Sequence, residues 1–106
     1  MIDLKKVAKW KNDFEHAFEL NTSGSQGHAL EKILYEEMHE FENLEEYKSL
    51  EMSASALSSL GAVIMPDVLL KSVKLTCELL IERIYMEANF EDARMREEAW
   101  YDKTNT

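Results

Sequence analysis

Leu4, Val7, Trp10, Phe14, Ala17 and Phe18 follow one another at steps of mostly three and four residues. That spacing gathers side chains on one side of an α-helix. With Asp3 as N-cap, it predicts a helix from about Asp3 to about Leu20. Asn21 to Gly27 interrupts the pattern with small polar residues and two of the chain's three glycines, and reads as a flexible loop. Periodicity resumes at Leu30, Ile33, Leu34, Met38, Phe41 and Leu44, predicting a second helix over roughly His28 to Leu50. Met52 to Ala62 is rich in alanine and serine. We read it as a short helix packed closely on its neighbours, because small side chains let backbones approach, with Gly61 as its stop.

Pro66 suits the first turn of the next helix, and Asp67 the positive end of its dipole. Leu70, Val73, Cys77, Leu80 and Ile84 define that helix's stripe, while Leu69, Ile81, Tyr85 and Ala88 widen it. So broad a face must touch more than one neighbour, within one chain or across a dimer. Asn89 to Asp92 marks a candidate break, and Lys103 to Thr106 a frayed tail. No strand-like alternation or internal repeat occurs. The expected fold is therefore all-α, a single domain over residues 1–106. It comprises three main helices plus a short helical hairpin segment, as a compact bundle or a helical dimer.

Charge changes the picture next. The formal net charge is −9 over 106 residues, and it is uneven. Between Glu31 and Glu51 eight glutamates face two lysines, so the second helix should carry a strongly negative outer face. An acidic balance disfavours direct nucleic-acid binding, because phosphate contacts draw on lysine and arginine. It favours partners with basic surfaces. The longest uncharged run, Met52 to Pro66, is too short for a membrane span and holds four serines. One cysteine excludes an internal disulfide, and the amino terminus lacks a secretory h-region. The expected location is the cytoplasm.

Glu36 and Glu40 would lie one turn apart on a continuous helix, where two carboxylates can share Mg²⁺. Asp13-Phe14-Glu15-His16-Ala17-Phe18, a loop, and then Leu34-Tyr35-Glu36-Glu37-Met38-His39-Glu40 together resemble the opening of the MazG-type all-α nucleotide pyrophosphohydrolases. The resemblance implies magnesium-binding roles for Glu36, Glu37 and Glu40. It covers about a quarter of the chain. The family's later E-x-x-D has no counterpart, since Met52 to Met65 contains no acid.

Asp13-x-x-His16 and Glu36-x-x-His39 also match half the ligand pattern of carboxylate-bridged di-metal bundles. His16 and His39 sit beside core-facing Ala17 and Met38, which places them at the boundary of the core instead. Cys77 occupies an apolar helical position and reads as a core residue rather than a nucleophile. The serines of Ser53 to Ser59 lack a nearby histidine or a G-x-S-x-G elbow. The Gly24 and Gly27 pair precedes an acidic helix that would repel phosphate. Ser53 to Leu75 has a helix–turn–helix cadence, but Asp67-Val68-Leu69-Leu70 offers few donors to base edges. The acids are too interspersed with bases for a DNA mimic.

Interaction surfaces remain. The uncharged hairpin carries Leu57, Leu60, Val63, Ile64 and Met65, and Ile64-Met65-Pro66 would form a rigid contact point before a helix. Trp10 reads as core, while Trp100 and Tyr101 are anchors near the chain end. The sequence thus points to a small acidic helical protein that binds another protein through a basic or apolar patch, without catalysis or cofactor. Its expected contact residues are Glu36, Glu40, Ile64, Met65, Pro66 and Trp100. Inhibitors, immunity proteins, antitoxins and adaptors of phages and mobile elements share this size and charge, an analogy of class only. A reduced MazG-like, Mg²⁺-dependent nucleoside triphosphate pyrophosphohydrolase is the alternative.

Overall fold

A computed structural model describes the backbone of residues 3–104 and the side chains of residues 3–88. It is all-α, with no strand among the described residues. Helices α1 (Leu4–Phe18), α2 (Ser23–Lys32), α3 (Glu45–Ser59) and α4 (Asp67–Thr104) follow in order. A π-turn (Ile33–Glu37) and a 3-10 turn (His39–Phe41) lie between α2 and α3.

α1 begins where expected. The Asp3 carboxylate accepts the Lys5 backbone N–H at 2.9 Å, and Val7, Trp10, Phe14 and Ala17 are buried along one stripe. The Asn21–Gly27 loop is a correction, because the helix resumes at Ser23. Thr22 is the N-cap, its hydroxyl accepting the Ser25 N–H at 3.1 Å. Two glycines in the first turns cost helix propensity, and tertiary contact overrides that cost. Ser23 N–H donates to the Val63 carbonyl and Gly24 N–H to that of Gly61, both at 2.8 Å. These bonds satisfy helix-end donors that have no intrahelical acceptor. A Cβ built on Gly24 would lie 2.8 Å from the Gly61 carbonyl oxygen. One on Gly27 would lie 2.3 Å from the Ser58 nitrogen and 2.6 Å from the Ala54 oxygen. The absence of a side chain at Gly27 is what lets α3 lie against α2 there, backbone to backbone.

The expected helix over His28 to Leu50 is broken. Met38 N–H bonds to the Ile33 carbonyl at 3.2 Å, five residues back. This wider turn leaves the Leu34 carbonyl for the Tyr47 hydroxyl, which donates to it at 2.9 Å from α3. Met38 then leaves helical geometry (φ −118°, ψ 15°), and Leu44 in extended conformation starts α3. Glu45 and Glu46 fall in α3's first turn, where negative charge meets the positive helix end. The acid-rich stretch is therefore shared among several short elements and does not form a single helix face.

The small-residue segment packs closely, as expected, but belongs to α3, whose buried positions are Tyr47, Leu50, Ala54 and Leu57. Leu60 caps α3, and Gly61 follows at φ +61°, a left-handed conformation that glycine adopts without steric cost. Pro66 stands just before α4, its carbonyl accepting the Leu70 N–H at 3.0 Å. The helix then continues unbroken through Asn89, so the candidate break there is not found.

One apolar core joins all four helices. Val7, Trp10 and Phe14 meet Leu30, Leu34, Met38, Tyr47, Leu50, Val73, Cys77, Leu80 and Ile84. Each fully buried aliphatic side chain contributes about 1.5–3 kcal/mol relative to exposure. Trp10 meets Phe41 edge to face, with ring centroids 5.6 Å apart and planes at 77°. No helix among the described residues is long and apolar enough to cross a membrane.

Candidate functional site

α1 and α4 meet through large side chains and do not close on one another. Between them runs a groove of about 590 Å³. Phe14 and Phe18 of α1, with Cys77, Ile81 and Tyr85 of α4, supply its apolar surface. Lys11, Glu15, Glu19, Lys74, Glu78 and Glu82 supply charge around it. Helical spacing explains the arrangement. Glu15 and Glu19 follow Phe14 and Phe18 by one residue, and so lie one step around α1 from its buried stripe. Lys74, Glu78, Glu82 and Tyr85 flank the α4 stripe in the same way. Four carboxylates against two ammonium groups leave the rim net negative. The Lys74 ammonium sits 5.7 Å from the Phe18 ring centroid, within cation–π range.

Cys77 lies in the apolar wall and is buried. Desolvation, with a smaller contribution from Glu78, pushes its thiol up to about 12. Burial in apolar surroundings thus disfavours the thiolate, the reactive form. The sequence expectation of a core cysteine therefore holds.

A second hollow, of about 380 Å³, lies between α1, α2 and the π-turn. Asp13, His16, Glu36 and Glu37 line it, bringing together members of both metal patterns read from the sequence. They do not converge: among the described residues, no three His, Cys, Asp or Glu side chains are placed to hold an ion. Lys32 lines the same hollow, and Lys9 pairs with two of its acids from outside. The Lys9 ammonium bonds Asp13 at 2.9 Å and also bonds Glu37. These hydrogen bonds, that to Glu37 first, raise the Lys9 pKa. The break at Met38 takes Glu40 and His39 off the face that carries Glu36, and His39 pairs instead with Glu42 of its own turn at 3.1 Å. The magnesium set Glu36, Glu37 and Glu40 is thus not assembled.

The expected contact residues separate. Glu36 and Glu40 are exposed, but neither borders the α1–α4 groove. Ile64 is 79% exposed, whereas Met65 is only 7% exposed and packs in the core. Pro66 is exposed beside the start of α4. The side chains of Trp100 and Tyr101 lie outside the described residues. Sequence reasoning did not single out Phe18, Lys74 and Tyr85 as neighbours in one groove. The available signal was the acid pairs Glu15/Glu19 and Glu78/Glu82, each one turn apart beside an apolar stripe.

No family model, curated protein or solved structure matches this chain.

Proposed function

We propose that the protein is a non-catalytic binding module whose α1–α4 groove receives a basic amphipathic helix of a partner protein. One observation carries this reading: an apolar trough between two helices is rimmed by Glu15, Glu19, Glu78 and Glu82. An amphipathic helix lays its apolar face into such a groove, with anchors at three- and four-residue spacing. Lysines or arginines flanking that face would meet the rim carboxylates, favouring encounter and register more than raw affinity. The net charge of −9 acts in the same direction at longer range. A role as an inhibitor, immunity protein or adaptor fits this mode, with the partner's own site occluded or tethered by the bound helix.

The direct test is a titration followed by fluorescence anisotropy. Two labelled helical peptides carry leucine on one face, with lysine on the other face in one and glutamate in the other. The lysine peptide should bind, more weakly with rising salt, and should lose affinity in Glu15→Lys/Glu78→Lys. Equal binding of both peptides, or an unchanged affinity after charge reversal, would refute the proposal.

A further inference from the structure

α4 is apolar on two opposite sides. Val73, Cys77, Leu80, Ile84 and Ala88 are buried against the body. Val68, Leu75, Leu79 and Met86 are 79%, 54%, 46% and 58% exposed. At roughly 100° per residue, these four lie about 160–200° around the helix from Cys77. Together with Ser72 and Glu82 they follow alternating steps of four and three residues, the seam of a two-helix coiled coil. Among the described residues, nothing covers that seam.

We infer that this outer face of α4 pairs with the same face of a second copy, the two helices running antiparallel. The spacing itself is two-fold symmetric about residue 77. Val68 and Met86 are equidistant from it, as are Leu75 and Leu79, and Ser72 and Glu82. A closed two-fold interface requires such self-complementarity, each residue meeting its mirror position on the partner. Antiparallel pairing then sets Val68 against the partner's Met86, and Leu75 against the partner's Leu79.

Charge selects the same orientation. Parallel pairing would bury Glu82 against its own copy, whereas antiparallel pairing gives it the hydroxyl of the partner's Ser72. The first part of the helix, with Asp67, Lys71 and Lys74, is net positive. The part from Glu78 to Ala88, with Glu78, Glu82, Arg83 and Glu87, is net negative. Antiparallel packing lays each beside its opposite. The inference does not depend on the groove, which lies on another side of α4, though Glu82 borders both.

Sedimentation equilibrium of the full chain at submillimolar concentration should give twice the chain mass of 12.3 kDa. Leu75→Lys/Leu79→Lys should return it to a single chain with an unchanged helical circular dichroism spectrum, since both side chains are exposed. Ile64→Lys, on the hairpin, should leave the doubled mass intact. Spin labels on Val68→Cys should lie about 27 Å apart in the antiparallel pair, from eighteen residues of helical rise. A parallel pair would hold them near about 10 Å. A single-chain mass in the unsubstituted protein, a doubled mass that survives Leu75→Lys/Leu79→Lys or is lost in Ile64→Lys, or the short label distance would each overturn the inference.

Discussion

The helix pairs α2–α3 and α1–α4 solve the same packing problem in opposite ways. In the first, Gly24 and Gly27 bring bare backbone against Ala54, Ser58 and Gly61, and no space for a side chain is left. In the second, Phe14, Phe18, Ile81 and Tyr85 hold the helices apart, and a groove of about 590 Å³ remains. The tight pair uses small residues to fix the backbone. The open pair leaves apolar side chains and carboxylates in reach of other molecules. Rigidity on one side of the molecule thus supports an adaptable surface on the other, as binding sites require of their scaffolds.

The strongest way to break this contrast is to add volume at each contact. Gly27→Leu should destabilise the fold by about 3 kcal/mol or more in urea denaturation, because its Cβ meets backbone atoms that cannot rotate away. Glu15→Leu on the groove rim should change stability by less than about 0.5 kcal/mol. If Gly27→Leu proved neutral or stabilising, helix propensity alone would govern α2 and the close-packing account would fail.

Alkaline pH should weaken the molecule through groups buried on both sides. The thiol of Cys77 and the hydroxyl of Tyr47 are each pushed up to about 12, both chiefly by desolvation, from ordinary values of 9.0 and 10.0. The unfolded chain therefore ionises them first. Their contribution is complete below about pH 9 and is lost as pH rises toward 12. Urea midpoints should fall across that window, and Cys77→Ala should remove the part of the fall that begins near pH 9. A flat profile would contradict the burial of both groups.

Tyr47→Phe should cost about 1–2 kcal/mol, since it strands the Leu34 carbonyl freed by the π-turn. A cost near zero would mean that water or a rearranged turn replaces the bond. The smallest effect on stability is expected from Glu15→Lys/Glu78→Lys, within about 0.5 kcal/mol by the same denaturation assay. A large loss there would make the rim acids part of the fold rather than of a surface.

Much of the fold was legible from periodicity. The extent of α1, the core position of Trp10 and Cys77, the stop at Gly61 and the close packing of the alanine–serine segment follow from spacing and residue size. What escaped depends on contacts distant in sequence. Ser23 to Gly27 has the local character of a loop, and becomes helix because the Val63 and Gly61 carbonyls receive its first N–H groups. The break at Met38 goes with a bond from the Tyr47 hydroxyl, thirteen residues from the Leu34 carbonyl that it satisfies. That break also divides the acid-rich stretch, on which the metal patterns rested. The groove was only partly visible: its acid pairs stand in the sequence, but the meeting of α1 with α4 does not.

The most direct test of the groove as the binding site is a two-dimensional amide NMR titration with the lysine-bearing amphipathic peptide. The account requires shifts concentrated in Lys11–Glu19 of α1 and Lys74–Tyr85 of α4. Perturbations centred instead on Leu60–Leu69 or on Glu31–Glu51, or none at saturating peptide, would contradict it.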